Sequence, residues 1–169
     1  MIVVTNSGPL MALAKLGLLH LLSQLYGKVD MPEAVYDEVV LSGRAQGYSD
    51  SLPVKLAIQR KQLVVKKVKK LKDEIAELPL HIGEKQVLCL ALESQADLVL
   101  LDDMLARNEA RALGISVKGT LGVVVKAYRM GFLNLNEVHT IFDDIADRDD
   151  IWIAKELCRR VFDGLKSED

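Results

Sequence analysis

The sequence is poor in the features that mark secreted, membrane-spanning or histidine-dependent proteins. It has two cysteines in 169 residues, Cys89 and Cys158, both inside apolar helical patterns. They read as small core residues in a reducing compartment, which excludes a disulfide or zinc framework. No apolar run approaches the roughly 20 residues of a membrane span. The chain moves straight from Met1 into a strand, so no signal peptide is expected and the expected location is the cytoplasm. There is no Walker phosphate loop and no Gly-x-Gly-x-x-Gly. The three histidines, His20, His81 and His139, are scattered, so no Ser-His-Asp or Cys-His set can be placed from spacing. His20, on an apolar helix, is expected to be structural, and His81 and His139 to lie at the surface or at caps. The single tryptophan, Trp152, is expected to anchor packing. Neither sign of charge dominates: 22 basic against 24 acidic side chains give a net charge of −2. That excludes a uniformly basic nucleic-acid coat and leaves room for a local patch.

What the chain does have is centred on residues 97–114. Leu98-Val99-Leu100-Leu101 is a run of aliphatic residues typical of a strand buried on both faces. It stops on Asp102-Asp103, either of which can cap the helix that follows, and Gly114 suits that helix's end. One carboxylate suffices for a cap; a second beside it costs repulsion unless something positive offsets it.

The rest alternates in the same way. Ile2–Thr5 reads as a first strand, followed by Asn6-Ser7-Gly8-Pro9 and a helix. Gly17 breaks that helix, and Leu18–Leu25 reads as a second. Lys28–Met31 is a second strand, Pro32 opens a helix with Glu38 near its middle, and residues 42–52 are a polar loop. A helix from about Leu52 to Arg60 leads to a third strand, Leu63–Val65. The lysine-rich segment Lys66–Lys72 reads first as a solvated connector, with phosphate contact as the sharper alternative. Glu84 falls in the first turn of a buried helix, Ile115–Lys118 is a fifth strand, and Gly119-Thr120 opens the next helix. The predicted fold is an α/β, three-layer α/β/α sandwich with a central parallel sheet of about five strands. Residues 1–133 form the main domain, and residues 134–169 a helical appendage packed on it.

In such a sheet strands one and four are neighbours at the switch point, where ligands bind. That gathers Asn6, Glu38, Glu84, Asp102 and Asp103 around one cleft. Four carboxylates together are tolerable only with a cation, and oxygen-only donors select Mg²⁺ or Mn²⁺. Phosphodiester hydrolysis is the natural reaction class for such a centre. A receiver-like phosphoacceptor domain also uses paired acids at a strand end, but after the first strand, where this chain has Asn6.

These residues resemble the PIN-domain nucleases, in particular the short prokaryotic VapC-like proteins. The resemblance rests on Ile2–Leu10, Pro32–Val39, Gly83-Glu84-Lys85, Leu100–Asp103 and Leu113–Gly122, and covers roughly residues 1–131. It implies a PIN-type endoribonuclease dependent on Mg²⁺ or Mn²⁺, with RNA as substrate. Such proteins are often homodimeric and often the toxin of a toxin–antitoxin pair, with an antitoxin protein as partner. Carried over by position, Glu38, Glu84 and Asp103 would be the acidic ligands, with Asp102 beside them. Ser7 or Thr120 would position a water or phosphate, and Arg107 and Arg111 would reach phosphate. The family's first acid falls on Asn6, whose amide oxygen can ligate but brings no charge. At an effective dielectric near 20, a charge lost about 4 Å from a cation removes on the order of 4 kcal/mol of attraction. The alternative expectation is therefore a catalytically weak PIN-like module that binds nucleic acid or a protein partner.

Overall fold

The structure is a computed structural model that describes residues 1–42 and 51–168. Five parallel strands make one sheet in the order β3-β2-β1-β4-β5: β1 Val3–Thr5, β2 Val29–Pro32, β3 Leu63–Lys66, β4 Leu98–Leu100 and β5 Val117–Lys118. The aliphatic runs predicted as strands supply this sheet, and helices cover it. The fold is the α/β/α sandwich expected. The chain builds outward from β1 through β2 to β3, then returns to lay β4 on the other side of β1. β1 and β4 pair with Val3 opposite Leu98 and Thr5 opposite Leu100. Asn6 extends the pairing by donating its N–H to the Leu100 carbonyl at 3.0 Å. The residues that follow β1 and β4 therefore emerge side by side.

The helices are α1 Ser7–Lys15, α2 His20–Tyr26, α3 Glu33–Tyr36, α4 Ser51–Gln59, α5 Asp73–Ala76, α6 Ile82–Ser94, α7 Met104–Ala112, α8 Thr120–Arg129, α9 Leu135–Asp147 and α10 Lys155–Lys166. Two departures from expectation concern the first half. The helix after Pro32 is α-helical for one turn only and widens to a π-helix over Asp37–Ser42, which carries Glu38. Hydrophobic spacing cannot separate a 3.6-residue from a wider turn over six residues, and π-turns recur at functional sites. The second helix starts at His20, and His20 itself is exposed. The loop predicted over residues 42–52 lies outside the described residues from 43 to 50; Ser51 and Leu52 already belong to α4.

The main core joins both faces of the sheet, with Val4, Val29, Leu88, Val99 and Leu100 at its centre. Cys89 belongs to it as a free, buried residue. A second core, around Val124, Val138, Phe142, Ile145 and Cys158, packs α9 and α10 against α8, with Ala12 of α1 joining it. The lysine connector is pinned by its backbone: Lys69 and Lys70 donate their N–H groups to the Glu93 carboxylate while their side chains stay exposed. Trp152 is not a packing anchor. It is 94 % exposed, standing between Ile151, which is buried in the second core, and Ile153, which packs against that core. Among the described residues, no single helix is long and apolar enough to cross a membrane.

Candidate active site

At the carboxyl ends of β1 and β4, Asn6 and the Asp102-Asp103 pair open into a cleft of about 670 Å³. Glu38, Glu84 and Ser7 also line it. The topology thus brings all five proposed ligand residues to one rim, although they are far apart in sequence.

Each side chain is held differently. Asn6 occupies the N-cap position of α1, yet its side chain caps nothing. Its Oδ1 is buried without a hydrogen-bond partner. Asparagine is among the preferred capping residues, so an uncapped, orphaned amide at such a position is costly unless something else uses the oxygen. Glu38 comes from the π-helical turn and is exposed. Gly83 explains how these two approach α6. A Cβ there would sit 3.2 Å from Glu38 Oε2 and 3.4 Å from Asn6 Oδ1. A side chain at 83 would crowd the two oxygens apart.

Glu84 is only 7 % exposed and accepts the His81 N–H at 3.0 Å, so it closes the first turn of α6. Burial raises its carboxyl above the ordinary range; the His81 N–H opposes this, and the charges of Asp103 and then Glu38 push it further up. Three carboxylates thus feel one another across the cleft.

The two adjacent aspartates do different work. Asp103 is the N-cap of α7, accepting from Ala106 N–H at 2.9 Å with one oxygen, and is exposed toward the cleft. Asp102 turns the other way. Its Oδ1 accepts the Thr120 N–H at 2.7 Å and its Oδ2 the Thr120 hydroxyl at 2.6 Å, so it ties β4 to the start of α8. Burial pushes its carboxyl up, while the two Thr120 donors and Arg107 pull it down. Thr120 is fully buried and committed to Asp102. Arg107 reaches the Leu101 carbonyl, and Arg111 bonds Asn108 on the exposed face of α7. Neither arginine lines the acidic cleft; Arg107 lines a second cavity behind Asp102. Ser7 does line the cleft.

Sequence reasoning left out the opposite wall. Lys15, Asp150, Ile151, Trp152 and Ile153 close the cleft from the side of α1 and the α9–α10 connection. Lys15 Nζ donates to the Asp150 carbonyl at 2.7 Å and lies 3.7 Å from its carboxylate, joining the two segments. No spacing rule in the sequence relates Lys15 to residues 150–153.

The donor set suits a hard divalent cation. Every candidate ligand atom is oxygen, and Asn6 Oδ1 is orphaned. Glu84 and Asp103 each keep one oxygen clear of the N–H that the other accepts. Among the described residues, no three His, Cys, Asp or Glu side chains stand so that they could by themselves hold a metal ion. An open, oxygen-lined rim is compatible with a metal that retains several waters.

The fold is a three-layer α/β/α sandwich with an acid-lined cleft at the carboxyl ends of its central strands. The chain matches the PIN-domain family over residues 2–167 and belongs to it. The match includes α9 and α10, beyond the roughly 131 residues that carried the resemblance. No curated protein sequence matches the chain. PIN domains are generally nucleases that depend on divalent metal ions.

Proposed function

We propose that this PIN domain is an endoribonuclease dependent on Mg²⁺ or Mn²⁺, with Glu38, Glu84 and Asp103 as its acidic ligands. The observation that carries the reading is the convergence of those three acids on one cleft beside the orphaned Asn6 oxygen. The cation supplies charge to a phosphate oxygen and lowers the pKa of a bound water. The chain's own residues hold the ion. Glu84, Glu38 and Asp103 would hold it, and its charge would offset their mutual repulsion. Asn6 offers a neutral oxygen already stripped of water. Asp102 acts one step back: by holding Thr120 it fixes the loop on which Asp103 is presented.

The test is cleavage of an RNA oligonucleotide with Mn²⁺. Wild type should cleave it, chelator should stop cleavage, and Asp103→Asn should abolish it. Unchanged cleavage in the variant or in excess chelator overturns the reading. The resemblance to VapC-like proteins extends the proposal to a homodimeric toxin neutralised by an antitoxin protein. Induced expression should then arrest growth and Asp103→Asn should not, while sedimentation should show a dimer.

A second reading, binding without efficient cleavage, is favoured by the missing charge at Asn6. Asn6→Asp separates the two. A Mn²⁺ affinity in calorimetry at least about tenfold tighter than wild type supports a crippled natural site; tight binding by wild type supports the enzyme.

A further inference from the structure

Behind Asp102 lies a second cavity of about 510 Å³, between β5, α8 and α10. It shares Asp102, Met104, Trp152 and Ile153 with the acidic cleft, so the two hollows meet along one wall. Its character is opposite. Arg107, Lys118, Lys126 and Arg129 border it, over an apolar floor that includes Leu121 and Val161. The acids near it are already engaged: Asp102 by Thr120, and Glu168 by Arg129 at 2.7 Å. Lys126 stands 4.4 Å over the Tyr26 ring. Lys118 is pushed down by burial and then by Lys126 and Arg129, so these cations crowd one another. The Arg107 Nε is buried without a partner. Mutual repulsion of this kind falls when an anion enters.

The shared wall carries Trp152, the chain's one tryptophan. It is not a loose side chain. Its indole N–H donates to the Asp149 carbonyl at 3.1 Å, which orients the ring while leaving it almost wholly in solvent. An exposed, oriented aromatic ring beside a cationic cavity is the arrangement by which proteins hold single strands: bases stack on the ring and phosphates meet the cations. An acidic peptide would satisfy the cations but leaves the ring without a use.

We propose that the basic cavity is a subsite for the RNA strand beyond the scissile phosphate. A base stacks on Trp152, and the phosphate backbone runs toward Lys118, Arg129 and Arg107. This rests on the reading of the acidic cleft as the cleavage centre. The strand would cross the shared wall, and the subsite would select single-stranded over duplex RNA.

Because Trp152 is the only tryptophan, its fluorescence reports on this wall alone. The experiment is a titration with a short single-stranded RNA in chelator, so that cleavage plays no part. Saturable quenching is expected. Trp152→Ala, read by anisotropy of labelled RNA, should weaken binding about five- to a hundredfold, and Trp152→Phe should retain most of it. Trp152 is too exposed for its replacement to open the core. Lys118→Gln should flatten the dependence of log affinity on log salt by about 0.7, and Arg129→Gln, whose guanidinium is paired with Glu168, by less. No quenching, equal affinity for duplex RNA, or an unchanged Trp152→Ala variant overturns the subsite, as does equal binding of poly-glutamate. If Trp152→Ala binds normally while wild type still cleaves with Mn²⁺, the subsite falls and the acidic centre stands. Binding as expected without any cleavage upholds the strand-binding surface and removes the cleavage centre instead.

Discussion

Two hollows meet at the end of β4, and they differ in nearly every respect. The cleft on the β1 side is lined by acids, and burial, then Asp103 and Glu38, raise Glu84; the cavity on the β5 side is bordered by cations, and burial, then Lys126 and Arg129, depress Lys118. What divides them is a single pair of neighbours. Asp103 caps α7 and faces the acidic side, while Asp102 is bonded twice by Thr120. Two identical side chains one residue apart are therefore a candidate ligand and a structural tie. Residue type does not decide the role; the available donors do.

Among the largest effects expected on this contrast is that of Glu84→Gln. Activity should fall about 10²- to 10⁴-fold in an RNA cleavage assay. Glutamine still accepts from the His81 N–H, so the helix start should survive. Stability should move the other way. A carboxyl raised by folding takes up a proton in the folded state, so stability falls as pH rises from 4.5 through its folded-state value. Without divalent cation, Glu84→Gln should melt above wild type at pH 7, and the gap should close below pH 4.5. Calorimetry at the two pH values checks the sign. Equal melting at both would show that Glu84 carries no burial penalty.

The paired aspartates break the comparison directly. Asp103→Asn should lose cleavage and keep stability, since asparagine caps as well as aspartate. Asp102→Asn should instead lose stability, by about 1–3 kcal/mol in denaturant unfolding, because an amide has one acceptor oxygen for the two Thr120 donors, and should lose less cleavage than Asp103→Asn. If both variants unfold alike, the division of labour is wrong.

Gly119 sharpens the same boundary. A Cβ there would fall 2.6 Å from both Arg107 Nη1 and Asp102 Oδ1. Gly119→Ala should therefore destabilise by about 1–3 kcal/mol, measured by urea unfolding, with a smaller loss of cleavage. The smallest effect belongs to the far wall. Arg148 and Lys15 lower the Asp150 carboxyl to about 2. Its contribution is present above pH 3.8 and lost as the pH falls toward about 2. The group is exposed, so Asp150→Asn should cost less than about 0.5 kcal/mol at neutral pH.

The aliphatic runs made the five strands legible, because a strand covered on both faces must be continuously apolar. The alternation with helices fixed the parallel sheet, and the switch point followed from it. Trp152 and His20 went the other way. His20 was expected to be structural and Trp152 to anchor packing, each from its residue type and immediate neighbours, and both side chains are exposed. The π-turn at Glu38 was hidden for a related reason: a change of pitch over six residues leaves no signature in hydrophobic spacing.

The sequence alone determined the sheet, the order of the acids and the neutral residue at Asn6, since periodicity and residue chemistry are local properties. Tertiary structure decided which aspartate is tied to Thr120, which glycine makes room for Asn6 and Glu38, and where Trp152 and Lys15 close the rim. Those outcomes depend on donors and volumes contributed by segments distant in the chain, and only packing brings them within reach.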